Sequence, residues 1–234
     1  MLFRSLDDGI EYFHVTVPAS ILVAGEDIEL TLTINTGGST RTPVTRKINV
    51  IKYAKNILAS NLGETDKTLA KDMLAYVKAA CVYAGNQDET IDTIDAILGN
   101  HTVAPNLGTA VQNTQGLASA ALLLNDKPAF VFFPELANGE AKYDLNAYKF
   151  TINGVSVAAE ITEVNGKTAL VVSTYAYAMC ETVNYTIEGT EISGAYNLAA
   201  YYNGVKGNAN TAALVKALYQ YSLSAKAYKA EKTA

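Results

Sequence analysis

A helical pattern that occurs twice constrains this chain more than any other feature of its sequence. Apolar residues recur at steps of four and three in TLAKDMLAYVKAACVYA, which begins at Thr68, and again in ALVKALYQYSLSAKAYK, which begins at Ala213. These steps place the residues on one face of an α-helix. The two stripes are Leu69, Met73, Tyr76, Ala80 and Tyr83, and Leu214, Leu218, Tyr221, Ala225 and Tyr228. They predict two long helices with buried stripes, capped by Thr65 or Asp66 and by Thr211.

The similarity extends upstream of both helices, in the same order. Alternating apolar and polar residues at Ile28–Leu32 and Val183–Ile187 predict half-buried strands. Each strand is followed by a return segment and then by a predicted short helix, in which Asn49 corresponds to Asn197. We therefore predict an α+β fold of two related units, each a β-sheet or sandwich closed by a short helix and a long helix.

The second unit has more sequence in front of its shared part. ASAALLLNDKPAFVFFP predicts two strands around a turn at 125–128, and Asn-Gly pairs follow at 153–154 and 165–166. Because both residues of Asn-Gly tolerate positive φ, they predict two hairpin turns and a three-stranded meander. We assign residues 1–100 to a first unit that is incomplete at its N-terminus, 101–116 to a linker, and 117–234 to a complete second unit.

Composition narrows the classes of partner. The chain of 234 residues has a net charge of −5, and its lysines and arginines do not cluster, which argues against a nucleic-acid partner. Its longest apolar runs are strand-sized, so no membrane span is predicted. Cys81 and Cys180 are interpreted as unpaired small apolar residues, with a disulfide left as the alternative, and no cysteine–histidine cluster indicates zinc.

Residue patterns typical of catalysis or metal binding are not found. His14 is placed on the outer face of a strand and His101 in the linker, and both are interpreted as surface residues without a partner. Asp88, Asp92 and Asp95 share one predicted helix face, which is interpreted as solvated, because a helix does not supply the converging loop oxygens that calcium favours. We predict no catalytic residues, no cofactor and no metal, while a hydrolase that uses two carboxylates remains open.

Tyrosine is the composition signal that bears on binding, with 15 tyrosines and no tryptophan. The tyrosines of the two stripes are assigned to packing, and so are Tyr53 and Tyr201, which occupy corresponding positions. Exposed tyrosines can stack on sugar rings or fill a protein interface, so a ligand site stands as the alternative to packing for the others. The unassigned tyrosines include Tyr143, Tyr175, Tyr177, Tyr202 and Tyr219.

Three stretches resemble a known kind of module. ASAALLLNDKPAFVFF, INVIKYAKNIL and LVKALYQYSLSAKAYK are similar to parts of a module found in large secreted or wall-attached multidomain proteins of anaerobic Gram-positive bacteria. Residues 221–225 resemble the Tyr-(Gly/Ser)-x-(Ala/Ser)-Ala ending of the last helix in that group, whereas residues 76–80 depart from it. The likeness covers residues 117–228 and, in the first unit, 9–83. It implies a secreted or cell-surface location and neighbouring domains, and it brings no catalytic residues.

These features favour a non-catalytic structural or binding module of a bacterial extracellular or cell-surface multidomain protein. The alternative is a carbohydrate-binding accessory domain of a polysaccharide-degrading enzyme, with carbohydrate or a cell-wall polymer as its partner. A planar row of tyrosines on one sheet face would favour the alternative. A deep pocket with converging polar groups would instead indicate an enzyme.

Overall fold

The computed structural model confirms the α+β class. It describes residues 2–7, 10–15, 27–32, 35–36, 39–40, 44–85, 89–124 and 128–233. Within these ranges, six strands precede helix α1 and form three antiparallel pairs, β1 with β2, β3 with β6 and β4 with β5. Their bounds are β1 Leu2–Asp7, β2 Ile10–Val15, β3 Ile28–Leu32, β4 Asn35–Thr36, β5 Ser39–Thr40 and β6 Val44–Ile48. The strand predicted at 28–32 is therefore present, and Ile28 lies opposite Ile48.

Three helices follow these strands: α1 Val50–Ala59, α2 Glu64–Tyr83 and α3 Glu89–Leu98. The side chain of Asn49 accepts a hydrogen bond from the Lys52 backbone N–H at 2.8 Å and so caps α1. The cap position of α2 is Gly63, so the prediction of Thr65 or Asp66 is wrong. The three helices share one apolar cluster, made of Ile51, Ala54, Ala70, Leu74, Val77, Cys81 and Ile94.

The stripe predicted on α2 is only partly buried. Tyr76 and Ala80 are buried, but Leu69 and Met73 are half-buried and Tyr83 is exposed. The face toward α1 and α3 is formed instead by residues one position further along the chain. The reason is that α2 is buried on two sides, so its apolar residues do not form the single stripe of a surface helix.

The second half of the chain forms two larger antiparallel sheets. One has the strand order β13-β12-β16-β17-β7 and the other β14-β15-β9-β8, while β10 and β11 form a separate hairpin. The strands are β7 Gln112–Asn113, β8 Leu117–Leu123, β9 Ala129–Pro134, β10 Leu136–Ala137, β11 Glu140–Ala141, β12 Tyr148–Ile152, β13 Val155–Val157, β14 Glu160–Val164, β15 Lys167–Ser173, β16 Val183–Ile187 and β17 Ser193–Tyr196. Short 3-10 helices occupy Leu145–Ala147 and Ala176–Ala178.

Both Asn-Gly turns are confirmed, but the three-stranded meander is not. Asn153 and Asn165 have φ values of 51° and 52°, as a tight hairpin turn requires. The middle segment of the predicted meander breaks after β13, at residues 158–159. Its first part, β13, pairs with β12 in one sheet, and its second part, β14, pairs with β15 in the other. The chain therefore passes from one sheet to the other within this segment.

The two sheets pack face to face around an aromatic core. Phe132 of the four-stranded sheet lies 4.9 Å, centroid to centroid, from Phe150 and 6.0 Å from Tyr185 of the five-stranded sheet. Tyr185 donates a hydrogen bond to the Gln115 carbonyl at 2.7 Å, and burial raises the pKa of its hydroxyl to about 12. Opposite Tyr185 stands Gly194, where a Cβ would lie 2.3 Å from the tyrosine ring, so only glycine fits.

Two helices close this β-sandwich, α4 Leu198–Val205 and α5 Ala209–Thr233. Asn197 caps α4 through the Ala200 backbone N–H at 3.0 Å. At the start of α5, Asn208 accepts the Thr211 N–H, so Thr211 is not the cap that was predicted.

The stripe predicted on α5 is buried at Leu214 and Leu218, which join the sandwich core, and half-buried from Tyr221 onward. The packing role predicted for Tyr201 is confirmed by its contact with the same core. The role predicted for Tyr53 is wrong, because its side chain is exposed on α1.

The long helices α2 and α5 pack against each other. The rings of Tyr76 and Tyr221 stack with centroids 5.8 Å apart, and Tyr76 and Ala80 belong to the sandwich core. Neither cysteine forms a disulfide. No helix in the described ranges is long and apolar enough to cross a membrane. The relation between the two units and the domain boundaries stay predictions.

Candidate functional site

A fully buried carboxylate, that of Asp72, lies where α2 meets α5. Its Oδ1 accepts a hydrogen bond from His101 Nε2 at 2.7 Å. Its Oδ2 accepts from Gln220 Nε2 at 3.1 Å and from the hydroxyl of Ser224. Both oxygens are thus bonded, as a buried carboxylate requires if it is not to carry a large desolvation cost. We call these four residues the Asp72 cluster.

The order of groups in the Asp72 cluster is not that of a nucleophilic triad. In a Ser-His-acid triad the histidine lies between the serine and the acid, so that it can take the hydroxyl proton. Here Asp72 lies between Ser224 and His101, and the Ser224 hydroxyl donates to the carboxylate. The arrangement joins α2, α5 and the segment after α3, and it does not prepare Ser224 as a nucleophile.

The structure corrects the interpretation of His101. The sequence predicts a surface histidine without a partner, but the side chain is mostly buried and bonded to Asp72. Asp72 itself was not singled out by the sequence, since a lone aspartate in a helical pattern looks like a solvated residue. Its partners lie 29 to 152 positions away along the chain, so no local spacing could have indicated the Asp72 cluster.

The other residues considered for chemistry lie apart from the Asp72 cluster or are outside the described part. His14 lies on β2 opposite Phe3, and its side chain falls outside the described residues, as does Asp88. The predicted helix that contains Asp92 and Asp95 is α3. On it Asp92 is exposed, and Asp95 forms an ion pair with Lys78 at 2.5 Å. In the described ranges, no three His, Cys, Asp or Glu side chains are grouped so as to hold a metal.

A surface groove of about 640 Å³ lies where the β12–β13 turn, the 3-10 helix Ala176–Ala178 and the end of α5 meet. Tyr175 is 73% exposed there and stacks on Tyr177, with ring centroids 5.4 Å apart and planes 10° apart. Lys229 Nζ lies 3.6 Å from the centroid of the Tyr177 ring, which is a close cation–π contact. We call this surface the tyrosine groove.

Polar side chains stand beside the stacked rings of the tyrosine groove. Glu181 binds Lys226 Nζ at 2.5 Å, and this hydrogen bond raises the pKa of Lys226. Asn153 and Thr174 also line the groove. An exposed flat ring next to amide, hydroxyl and carboxylate groups can hold a ligand that has an apolar face and hydroxyl edges.

The tyrosine row that would favour sugar binding does not form on a sheet face among the described residues. Tyr143, Tyr202 and Tyr219 are half-buried and pack against the sandwich core. The exposed described tyrosines lie on different elements, with Tyr53 on α1, Tyr83 on α2 and Tyr175 before a 3-10 helix. Among the described tyrosines that the sequence left unassigned, Tyr175 is the most exposed, and it lies beside polar side chains.

No family model, curated protein or solved structure matches this chain. Its chemistry is therefore to be understood from its own residues, above all the Asp72 cluster and the tyrosine groove. The first holds polar groups inside the protein. The second offers them to solvent.

Proposed function

We propose that this chain is a non-catalytic structural or binding module of a bacterial extracellular or cell-surface multidomain protein. The observation that carries the proposal is the bonding of Asp72. A histidine, a serine and a carboxylate lie together there, but they bind one another and so fasten α2 to α5. The sequence resemblance supports the extracellular location and the neighbouring domains.

The proposal includes two related units, at 1–100 and 117–234, joined by 101–116. Its support is that a strand pair, a capping asparagine, a short helix and a long helix occur twice in that order. Asn49 and Asn197 each accept the backbone N–H three residues on, at 2.8 Å and 3.0 Å. The two caps also have nearly the same backbone angles, with φ of −136° and −144°.

A substrate panel tests the absence of catalysis. Purified chain is assayed on glycan, ester and peptide substrates, together with Asp72→Asn. We expect no turnover by either protein and a lower stability for Asp72→Asn, because a structural carboxylate affects folding. Turnover that is lost on changing Ser224, or on changing any single aspartate or glutamate such as Asp72, would overturn the proposal.

A second candidate function is carbohydrate binding at the tyrosine groove, and the exposed Tyr175 ring favours it. The ring rests on Tyr177, so its position is fixed before a ligand arrives and little rotamer entropy is lost on binding. Its outer face is open to solvent. A polysaccharide of the cell wall or the surroundings would stack one sugar on this face and direct hydroxyls toward Asn153 and Glu181.

Affinity electrophoresis in gels that contain soluble polysaccharides tests this candidate. We expect retardation by at least one polysaccharide, and Tyr175→Ala should weaken it about tenfold because the stacking ring is lost. Tyr53→Ala is the matched control, since it removes another exposed tyrosine on α1. Equal loss in both variants, or full retention in Tyr175→Ala, would contradict binding at the tyrosine groove. Failure of this test leaves the non-catalytic proposal standing, because that proposal rests on Asp72.

A further inference from the structure

A second cavity, of about 650 Å³, opens between α2, α3 and the start of α5, away from the tyrosine groove. Its volume lies within the usual range of small-molecule sites. We call it the helix cleft. Nothing in the sequence patterns singled it out, because its lining comes from four helices and the segment that follows α3.

The floor of the helix cleft is apolar and made largely of alanine. Ala75 and Ala79 of α2 line it together with Ala212, Ala213 and Ala217 of α5. Ala79 is half-buried and Ala213 is exposed, so these two residues form the accessible part of the floor, whereas Ala75, Ala212 and Ala217 are buried. An aliphatic chain laid on this floor would remove apolar surface from water, at about 25 cal/mol for each Å².

The rim of the helix cleft is positively charged. Lys78, Lys206 and Lys216 line it together with His101, and Asp95 is its one carboxylate among the described lining residues. Asp95 is already paired with Lys78 at 2.5 Å. Neither Lys206 nor Lys216 forms an ion pair with a described carboxylate, and Lys216 Nζ lies 5.4 Å from the Tyr202 ring centroid. Two cationic groups are thus left without a carboxylate partner among the described residues, in a chain whose net charge is −5.

We infer that the helix cleft binds a small amphipathic carboxylate. Its aliphatic chain lies on the alanine floor, and its carboxylate pairs with Lys206 and Lys216. The charge of the rim selects an anion over a cation, because the potential at the site is complementary to a negative group. The inference concerns a surface separate from the tyrosine groove and does not depend on either proposed function.

Three probes distinguish the contribution of the ligand's charged head group from that of its aliphatic chain. Octanoate, octylammonium and acetate are each titrated into the ¹⁵N-labelled full chain, and the amide chemical shifts are followed. We expect octanoate to shift amides of residues 75–82 and 209–217 in a saturable way. Octylammonium, which has the same chain and the opposite charge, should leave them nearly unchanged, and acetate should show that the carboxylate alone does not bind.

Two pairs of variants test the two halves of the helix cleft. Lys206→Gln with Lys216→Gln should weaken octanoate binding about tenfold, whereas Lys55→Gln with Lys167→Gln removes the same charge elsewhere and should not. Ala213→Leu should block the floor, and Ala227→Leu is its control on the same helix. Position 213 is exposed, so the added side chain is compatible with folding.

Three results would overturn the inference. The first is equal binding of octylammonium and octanoate. The second is saturable shifts that lie outside the helix cleft. The third is a loss of affinity in the Lys55/Lys167 control as large as that in the Lys206/Lys216 variant. The amide spectrum reports folding and binding together, so a misfolded variant is recognised directly. If the lysine variant misfolds, the comparison of Ala213→Leu with Ala227→Leu tests the inference instead.

Discussion

The helix pairs α1–α2 and α4–α5 follow the same local plan in different surroundings. Each begins after two antiparallel strands with an asparagine that caps the short helix. The short helix α1 then buries Ile51 and Ala54 among other helices, whereas α4 buries Leu198 and Ala200 in the sandwich core. Local residues therefore determine where each helix starts, while the neighbouring layer determines which of its faces is buried.

The two pairs meet at one contact. Stacking of Tyr76 on Tyr221 and the bonds of Asp72 to Gln220 and Ser224 both join α2 to α5. Because α2 also supplies Tyr76 and Ala80 to the sandwich core, we expect the helical cluster and the sandwich to unfold together. Substitutions on either side of the contact, and at the contact itself, test whether the two regions unfold together.

The largest effect is expected from core truncation on both sides. Leu218→Ala in the sandwich core and Leu74→Ala in the helical cluster should each lower the free energy of unfolding by about 2–5 kcal/mol, because both side chains are buried. Urea unfolding followed by circular dichroism and by tyrosine fluorescence gives the values. Leu223→Ala, an exposed position on α5, is the control. A separate early transition in Leu74→Ala alone would show that the two regions are independent.

Removing the charge at the contact should have the next largest effect. Asp72→Asn replaces one carboxylate oxygen by an NH₂ group. Either His101 or the donors on α5, Gln220 and Ser224, then lose their acceptor, which should lower the free energy of unfolding by about 1–3 kcal/mol. Asp92→Asn, on the exposed side of α3, should change the free energy of unfolding little. The measurement is the urea concentration at the midpoint of unfolding, compared between proteins with the same m-value. An unchanged midpoint in Asp72→Asn would mean that the contact does not couple the two regions.

The two capping asparagines allow a direct comparison of surroundings. Asn49→Ala and Asn197→Ala should each cost about 1 kcal/mol for the lost cap. Asn197 also accepts from the Val111 N–H and donates to the Thr109 carbonyl, and Asn49 also donates to Asp27 Oδ1 at 2.8 Å. We expect the larger cost at Asn197, because Asp27 keeps its ion pair with Lys52 when Asn49 is replaced. Thermal unfolding of the two variants measures the difference. An equal or larger cost for Asn49→Ala would contradict this expected difference.

The smallest effect is expected from the ion pair beside Asn49. The hydrogen bond from Lys52 holds the pKa of Asp27 below its ordinary value. A carboxyl with a lowered folded-state pKa stabilises the fold above its unfolded-state pKa, and this stabilisation is lost as the pH falls through the folded-state pKa. Asp27→Asn should therefore lower stability slightly near neutral pH and not at all in strong acid. A difference that persists unchanged at low pH would contradict this origin.

Much of the local structure followed from the sequence. The Asn-Gly pairs placed two turns, alternation placed β3 and β16, and the steps of four and three placed α2 and α5. Each of these signals lies within a few neighbouring residues. The passage of the 155–164 segment from one sheet to the other was not predictable, because both of its halves have the same alternating pattern.

The candidate sites were less predictable than the fold, for a physical reason. The hydrogen-bond partners of Asp72 come from segments up to 152 positions away. The helix cleft is lined largely by alanines and lysines, whose spacing in the sequence does not indicate a site. Tyr175 was one of several unassigned tyrosines, and only the packing of the others made it stand out. The high tyrosine content indicated which residue type to consider for binding, but it could not indicate which tyrosine is exposed.

The buried carboxylate of Asp72 also limits how the chain can change in length. Gln220 and Ser224 are one helical turn apart on α5, and both donate to this carboxylate. A four-residue insertion in α5 before Gln220 would keep the helical face but move both donors about 6 Å along the axis. The charge would then be buried without them. Insertions are therefore expected to accumulate in the hairpin turns and to be excluded from the first three turns of α5.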